Sequence, residues 1–510
     1  MRLACFDVWW HLQHGRWIVE NGRVPRVDLF TYGSLGEPYL DQHWGFQILC
    51  WAVYALGGVP LLVLANAAIG TTAVGAAIAS RSQGVPPSLV ALAWILPIHV
   101  LAARSFVRPE QITLVAIAIT LWILRASIQR PRLLLILPVI QVFAINCHAV
   151  AITNVAVIGA FVVHRAWLRW RGPAQPLAGP SGKLESSVLA ASALAGLASP
   201  YGLAGFLLPV TLLREISVDR EFWSHLSNEL LSPLVYLNAE GLNFFVVAFF
   251  AQVGIGALSF LLLPRGRRFD PYRVLLFAGF TYLALSAQRN INLFAVVVGA
   301  VTMWNVADGV SSRPRWQAWF KSPRTTRAVG VVLVALIVSV VTGEWYRVTG
   351  SPREFGLGEQ ANLYIHGPAR FAARDGMPRR AFVVGFAQGA VYEFHNAPER
   401  LSYMDGRLEH RRRSTIVGFM DVKERLADRA AMARADRSML AVIAPEATSP
   451  EEWPAIILDP QWAGPQITGL LANPEWRIVF ADRTGAVFVS RRLADQLALP
   501  AASLAPLYGG

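Results

Sequence analysis

The sequence predicts a polytopic α-helical membrane protein with about ten membrane-spanning helices and a C-terminal α/β domain. Of its 510 residues, 54% are hydrophobic and only 15% are charged, whereas about 25% of the residues of a soluble protein are charged. The charge deficit lies in residues 1–346. Residues 347–510 hold 20 Arg and Lys against 18 Asp and Glu, so 11 of the 13 net positive charges belong to the membrane part. This charge indicates membrane orientation and argues against a nucleic-acid partner.

Ten apolar segments account for the predicted spans, because a membrane helix needs about 20 apolar residues. Several segments are shorter than this, which predicts tilted or half-inserted helices. The segments are Leu61–Ser80, Pro86–Ala103, Pro109–Leu124, Leu133–Asn146, Ala149–His164, Ser186–Ser199, Gly241–Pro264, Val274–Gln288, Ile291–Ala307 and Ala328–Trp345.

Basic residues mark one side of these spans. They crowd the connections at Arg81 and at residues 125–132, 165–183, 265–273 and 313–327. The positive-inside rule places these connections in the cytoplasm and the acid-rich segments outside. Ten crossings that begin outside also end outside, so the C-terminal domain is expected to be extracytoplasmic. This count requires that two short segments, residues 44–56 and 201–213, lie along the membrane interface without crossing it.

We therefore expect a membrane domain at residues 1–346, an external α/β domain at 347–495 and a disordered tail at 496–510. Residues 1–42 and 214–240 form the first and second external loops of the membrane domain.

Local patterns add detail to the external domain. Residues 381–386 and 439–443 are short apolar runs that predict buried strands. Residues 476–489 predict a β-hairpin, and Asp405 with Arg407 predicts a turn with an ion pair.

Three aspartates, Asp7, Asp28 and Asp41, lie in the first external loop. A carboxylate there can act as a general base or hold a divalent metal. Asp7, at the membrane edge, is the best candidate for the base, with Asp28 second. The alternative is structural: Asp7 precedes a helix that it can cap, and Asp28 follows Pro25 in a turn-like segment.

Histidines of the same loop are further candidates. His11, His14 and His43 can bind metal or assist proton transfer, although a histidine at a bilayer surface is more often simply solvated. We expect any metal to be Mg²⁺ or Mn²⁺, with Asp7, Asp28, Asp41 and His43 as possible ligands. The three cysteines are scattered without metal-ligand spacing, which argues against zinc and against a disulfide framework.

Polar residues also interrupt the spans at the external ends of several helices. Each of Arg104, Arg108 and Arg289 can bind a phosphate bidentately. His148 interrupts an apolar stretch that also ends on the external side of the predicted spans. Polar groups at membrane depth are costly and therefore suggest a cavity. The alternative for each arginine is snorkelling to the interface. Together with His11, these residues form the predicted substrate- and phosphate-binding set.

These motifs resemble the GT-C superfamily of polyprenyl-phosphate-sugar-dependent glycosyltransferases, and the likeness extends along most of the chain. It is more specific for the group than for a substrate. The matching pieces are Asp7–Leu12, Gly15–Ile18, Pro25–Tyr32, Arg108–Glu110, Asn146–His148, Ser199–Gly202, Asn228–Glu229, Arg289–Asn290 and Tyr403–Arg407.

The resemblance implies a bacterial inner-membrane enzyme that transfers a sugar, with inversion, from a polyprenyl-phosphate donor to an extracytoplasmic lipid, glycan or protein acceptor. It implies that Asp7 or Asp28 is the base. Two features depart from the pattern. The helix expected before Asp7 is missing, which suggests a late start codon or a truncation, and Phe6-Asp7 offers one acid where some GT-C families have two.

Two other functions are compatible with parts of the sequence. A transporter or flippase of lipid-linked intermediates favours internal repeats and charges at mid-membrane, but no repeat is evident and the acids crowd the external loops. A non-catalytic scaffold for envelope assembly would use the external domain to bind a partner. The position of the acids favours the enzyme.

Overall fold

The computed structural model describes residues 1–172, 177–240, 243–264, 270–408 and 412–508. Its first sixteen helices are α1 (Asp7–Asn21), α2 (Trp44–Ala79), α3 (Pro87–Ala102), α4 (Glu110–Ala126), α5 (Leu137–Cys147), α6 (Ile152–Trp170), α7 (Gly182–Ala195), α8 (Gly202–Val218), α9 (Arg220–Leu226), α10 (Pro233–Glu240), α11 (Phe244–Ser259), α12 (Pro271–Ser286), α13 (Ile291–Ser311), α14 (Pro314–Lys321), α15 (Pro323–Val341) and α16 (Glu344–Thr349). The remaining helices are α17 (His366–Ala372), α18 (Phe386–Asn396), α19 (Arg413–Ala427), α20 (Arg429–Ala433), α21 (Leu440–Ile443), α22 (Gly464–Ala472) and α23 (Arg491–Gln496). The strands are β1 (Arg380–Val383), β2 (Leu401–Ser402), β3 (Ala455–Leu458), β4 (Trp476–Ala481) and β5 (Ala486–Ser490).

The chain divides into two units. The helical unit contains residues 1–3 and 59–358, and the α/β unit contains residues 4–58 and 359–510. The sequence prediction assigned the first external loop to the membrane domain. In the structure, most of that loop is instead built into the α/β unit, and this difference comes from contacts between residues far apart in the chain.

Those contacts are specific hydrogen bonds and helix packing. Helix α1 packs on α18, and the Gln13 side-chain amide donates to the Ala397 carbonyl at 2.5 Å. Thr31 forms an isolated parallel bridge with Ser402 in β2. These contacts join segments that are far apart in the chain. The N-terminal segment is therefore an integral part of the α/β unit.

Helix α13 is the centre of the helical unit. Most of its length is buried, and it packs against α3, α11, α12 and α4. Close packing with α3 depends on Gly299, because a Cβ atom there would lie only 3.0 Å from the Pro97 side chain. A helix that is apolar all round and enclosed by others is typical of the middle of a membrane bundle.

A helix lies in each of the ten predicted spanning segments, but the predicted count of ten spans is not confirmed. Among the described residues, five helices are long and apolar enough to cross a membrane by length and composition: Trp44–Ala79, Ala149–Trp170, Phe244–Leu262, Gln288–Ser311 and Pro323–Val341. Shorter apolar helices are Pro87–Ala102, Pro131–Cys147 and Gly202–Leu212.

Helix α2 is interrupted at Gly57 and Gly58. Gly58 has φ +60° and ψ −156°, a backbone conformation that residues other than glycine rarely adopt. Because of this break, the segment Trp44–Gly58 and the apolar segment after it are separate helices. The boundary between the two units falls at the same place.

The α/β unit contains a five-stranded mixed sheet with strand order β2-β1-β3-β5-β4. Strands β2, β1 and β3 run parallel, whereas β5 is antiparallel to β3 and β4. Strands β3 and β5 are buried along their whole length, as expected for the middle of a sheet covered on both faces. The predicted hairpin is present as β4 and β5, and the strand predicted at residues 381–386 is present as β1.

Two local predictions are corrected. Residues 439–443 lie in and before helix α21 and do not form a strand. The buried positions there are Met439 and Ile443, four residues apart, which is the helical period. The predicted disordered tail is ordered through residue 508: Ala502 N donates to Ile478 O at 3.0 Å, and Leu507 is buried.

Candidate functional site

Asp7 is the first residue of α1 and is half-buried. A carboxylate at this position interacts favourably with the positive end of the helix dipole. The chain around Gly406 lies directly against it, because a Cβ atom added to Gly406 would be 3.1 Å from Asp7 Oδ1. The structure therefore places the predicted base beside the Tyr403–Arg407 segment, which belongs to the same set of motifs.

Asp28 is in a different environment. Only 3% of it is exposed, and its carboxylate accepts hydrogen bonds from Phe30 N at 2.9 Å and from the Thr31 backbone and hydroxyl at 3.2 and 2.8 Å. These bonds form an Asx-type turn. Its Oδ1 also lies 3.5 Å from an Arg407 amino group. Asp28 thus stabilises the loop and has little room for an acceptor.

Asp41 is fully buried and also serves the loop. Its carboxylate accepts from Gln47 Nε2 at 2.7 Å and from His43 N at 3.2 Å, and it lies 3.6 Å from His14 Nδ1. Burial opposes ionisation, but the contact with His14 outweighs it, so the pKa of Asp41 is lowered. Burial and the charge of Arg407 lower the pKa of His14, which favours the neutral ring.

Arg407 is a buried arginine that links these loops. Its backbone N–H and Nε both donate to Asp405, at 2.8 and 2.6 Å, and its guanidinium also pairs with Asp28. Burial opposes the charge, but Asp405 and Asp28 outweigh this effect and raise the pKa of Arg407. The predicted Asp405–Arg407 ion pair is present, and it includes a third partner that the local sequence does not indicate.

The histidines of the first loop lie among aromatic rings. His11 is 1% exposed, with its ring centroid 3.6 Å from that of Trp10 and 5.0 Å from that of Phe46. The His43 ring lies 5.7 Å from the His11 ring. Within the described ranges, no group of three or more His, Cys, Asp or Glu side chains could hold a metal ion. The assignment of Asp7, Asp28, Asp41 and His43 as metal ligands stays a prediction.

The helical unit contains a separate cluster of arginines. Arg108 Nη1 donates to both carboxylate oxygens of Glu229 at 2.7 Å, and Arg104 Nη2 lies 3.3 Å from Glu229 Oε1. Burial opposes ionisation of Glu229, but Arg108 and Arg104 outweigh it and lower the pKa of Glu229 to about 2. The carboxylate is therefore ionised at neutral pH, and it pairs with two arginines that are suited to bind an anion.

Arg289 belongs to this arginine cluster. It lies in the turn Gln288–Asn290, and Gln288 N donates to Leu231 O two residues after Glu229. Its charge also contributes to the lowered pKa of Glu229. The three predicted phosphate-binding arginines are thus gathered at one place.

Phe106 and Arg353 complete this cluster, and neither is among the residues predicted from the sequence. The guanidinium groups of Arg104, Arg108 and Arg353 lie 5.9, 5.1 and 4.3 Å from the centre of the Phe106 ring. Arg353 also donates to the carbonyls of α3 and the residue after it, at 3.0 and 2.6 Å. Phe106 lies between Arg104 and Arg108, so the motif could have indicated its role. Arg353 lies in the more polar part of the chain after residue 346, where no local pattern marks it.

His148 is buried and is held by α4. Its Nδ1 lies 2.8 Å from the Thr113 hydroxyl, three residues after the start of that helix. Nearby in the chain, the Asn146 amide donates to Ala198 O at 2.6 Å. These bonds satisfy polar groups in an apolar region, so both residues have a clear structural role.

Comparison with known proteins gives a likeness in fold only. No protein-family model and no curated protein matches the sequence. The chain is similar to the archaeal oligosaccharyltransferase AglB from Archaeoglobus fulgidus in complex with an inhibitory peptide and a dolichol-phosphate. The TM-score is 0.54 and the identity 12%, over 98% of this chain and 71% of AglB. This chain therefore resembles that oligosaccharyltransferase in its fold.

Two further solved structures are similar. The apo form of the Archaeoglobus fulgidus oligosaccharyltransferase has a TM-score of 0.50 and 10% identity, over 96% of this chain and 71% of that one. ArnT from Cupriavidus metallidurans bound to undecaprenyl phosphate has a TM-score of 0.41 and 15% identity, over 96% and 95%. The likeness in fold therefore rests on the oligosaccharyltransferase.

Proposed function

We propose that this protein is a membrane glycosyltransferase that transfers a sugar from a polyprenyl-phosphate donor to an acceptor outside the cytoplasm. The arginine cluster of the helical unit is the observation that carries this proposal. Arg104 and Arg108 pair with the carboxylate of Glu229, and the charge of Arg289 also acts on it. Guanidinium groups that bind a carboxylate in this way also bind phosphate oxygens. The GT-C-like fold supports the same class of donor.

The charge of this cluster supports an anionic ligand. In the part of the chain that the structure describes, Glu229 and Glu110 are the carboxylates that interact with Arg104, Arg108 and Arg289, so three arginines face two acids there. Arg104 is 8% exposed, and its Nε has no hydrogen-bond partner among the described residues. A buried donor without an acceptor is costly, and a phosphate oxygen would remove that cost.

We assign the general base to Asp7. Asp7 is half-buried at the start of α1, and a Cβ atom added to Gly406 would lie 3.1 Å from its Oδ1, whereas Asp28 and Asp41 are nearly inaccessible to solvent. In the proposed reaction, Asp7 accepts the proton of the acceptor, and the acceptor atom forms a bond to the anomeric carbon of the sugar. The bond from that carbon to the phosphate oxygen breaks, and the oxygen keeps the electron pair. A single displacement of this kind inverts the anomeric centre.

The arginines of the helical unit are assigned to the donor. Guanidinium groups such as those of Arg104 and Arg108 can bind the phosphate oxygens of a polyprenyl phosphate. The proposal includes no metal-dependent step.

The Asp7→Asn variant tests the assignment. Loss of a general base lowers the rate about 10²- to 10⁴-fold. Because donor and acceptor are unidentified, the measurement is mass spectrometry of envelope glycans and lipids from a deletion strain, complemented with each variant. We expect wild type to restore a missing sugar and Asp7→Asn to fail at equal protein abundance.

Asp375→Asn is the matched control, since Asp375 is exposed in the same unit. It is expected to behave as wild type. Full restoration by a correctly folded Asp7→Asn protein would refute the catalytic assignment and favour the scaffold. A deletion strain with unchanged glycans and lipids would contradict the enzyme proposal itself.

A further inference from the structure

A cavity of about 240 Å³ lies in the helical unit, among the ends of α2, α4 and α6, the start of α12, and α13. This is the arginine-rich end, which the positive-inside pattern predicts to face the cytoplasm. The cavity is lined by residues that are absent from the proposed glycosyltransferase site. Its polar wall includes Arg125, Arg165, Arg273 and Tyr272, and its apolar wall includes Leu121 and Phe161.

Arg125 provides a cation that no acid among the described residues neutralises. Its guanidinium donates to Ser82 Oγ at 2.9 Å, and it has no ion pair with any residue that the structure describes. The side chain is exposed, so it stands at the mouth of the cavity. In contrast, Arg165 and Arg273 are paired with Glu185 and Asp308 at 2.8 and 2.7 Å.

Tyr272 provides a donor inside the cavity. Its hydroxyl is buried and has no hydrogen-bond partner within the described part of the chain. The ring stacks on Trp304 with centroids 5.9 Å apart, which fixes the direction of the hydroxyl. Trp304 is fixed in turn by its Nε1–H bond to Ser80 Oγ at 3.0 Å. A rigid, unsatisfied hydroxyl in a cavity that Arg125 also lines favours an oxygen-rich anion.

One acid also lines the cavity, but its charge is compensated. Asp270 lies 3.3 Å from Arg273 and 3.4 Å from His164. It also caps α12 by accepting from Arg273 N at 3.2 Å. Its carboxylate is therefore engaged, and Arg125 remains the charge available to a ligand.

We propose that this cavity binds the phosphate of an anionic phospholipid. Basic pockets between membrane helices on the cytoplasmic side are suited to acidic lipid head groups. Arg125 and the Tyr272 hydroxyl would donate to the phosphate oxygens, and the apolar wall formed by Leu121, Leu124, Phe161 and Leu168 would contact the acyl chains. A soluble phosphate would gain nothing from that wall, which is why we assign the ligand to the lipid.

The test uses the full-length purified protein and phosphatidylglycerol as the probe. Retention of phosphatidylglycerol after detergent exchange is measured by native mass spectrometry, with phosphatidylcholine as the neutral comparison. We expect Arg125→Gln and Tyr272→Phe each to lower the affinity for phosphatidylglycerol about tenfold, the size typical of a lost charge-assisted hydrogen bond. Arg130→Gln is the control, because Arg130 is exposed on the same connection and does not line the cavity.

Both test substitutions are mild, since Arg125 is exposed and Tyr272→Phe removes one oxygen, and unchanged thermal unfolding will confirm folding. Equal retention of phosphatidylglycerol by wild type and both variants would overturn the proposal. Displacement of the lipid by millimolar inorganic phosphate would overturn the lipid assignment. The experiment does not measure sugar transfer, so its outcome is independent of the proposed function.

Discussion

Two arginine clusters in this protein differ in their balance of charge. In the α/β unit, the single arginine Arg407 faces the carboxylates of Asp405 and Asp28, all nearly inaccessible to solvent. In the helical unit, Arg104 and Arg108 pair with Glu229, the charge of Arg289 also acts on it, and Arg353 lies by the Phe106 ring. The first cluster has two carboxylates for one arginine, whereas in the second, among the described residues, three arginines act on the carboxylates of Glu229 and Glu110. Such a difference separates an arginine that maintains a fold from arginines that can bind a ligand.

The largest expected effect concerns Arg407. Replacing Arg407 with Met leaves two buried carboxylates without their counterion, which is expected to destabilise the α/β unit by about 3–5 kcal/mol. The measurement is thermal or chemical unfolding of the purified protein, followed by tryptophan fluorescence. Arg379→Met, at an exposed position of the same unit, should stay within about 0.5 kcal/mol of wild type. A stable Arg407→Met protein would remove the contrast between the clusters.

The next effect concerns Arg108. Replacing Arg108 with Gln removes the bidentate contact and is expected to weaken binding of polyprenyl phosphate about tenfold while the fold is retained. Binding can be followed by ligand-induced thermal stabilisation. Arg108→Lys should also bind more weakly, since lysine keeps the charge but loses the planar fork. Arg324→Gln, at an exposed position of α15, is the control, and equal binding by Arg108→Gln would contradict the phosphate role.

The smallest effect is the pH dependence contributed by Glu229. Its folded-state pKa of about 2 lies below its ordinary value of 4.5, so its stabilising contribution is complete above about pH 4.5 and is lost as the pH falls towards 2. Because a third of the side chain is exposed, we expect only about 1 kcal/mol. The unfolding midpoints of wild type and Glu229→Gln should therefore differ at pH 7 and converge near pH 2. A difference independent of pH would show that Glu229 contributes by packing.

Much of the fold follows from local patterns. Each of the ten apolar segments contains a helix, the strand predicted at residues 381–386 is present as Arg380–Val383, and the hairpin at 476–489 is present. These predictions succeeded because burial gives helices and strands a periodic pattern of apolar residues. The prediction was wrong at residues 439–443 because a five-residue apolar run suits either a helix or a strand. The buried strand Ala455–Leu458 was not predicted, although its four consecutive apolar residues are typical of a central strand.

Part of the candidate site could also be predicted from local patterns. The arginine motifs Arg104–Glu110 and Arg289–Asn290 identified residues that converge in the structure. The roles of the three aspartates could not be separated, because Asp7, Asp28 and Asp41 look alike in the sequence. Hydrogen bonds from Thr31 and Gln47, and the ion pair between Asp28 and Arg407, distinguish them.

Composition and short periodicities are enough to predict a chain rich in apolar helices, a more polar α/β segment after them, and arginines and aspartates at the helix ends. The grouping of residues 4–58 with residues 359–510, the pairing of Arg407 with Asp28, and the contact of Arg353 with Phe106 are visible in the structure alone. Ion pairs and packing depend on distances in space, and partners hundreds of residues apart leave no local pattern in the sequence.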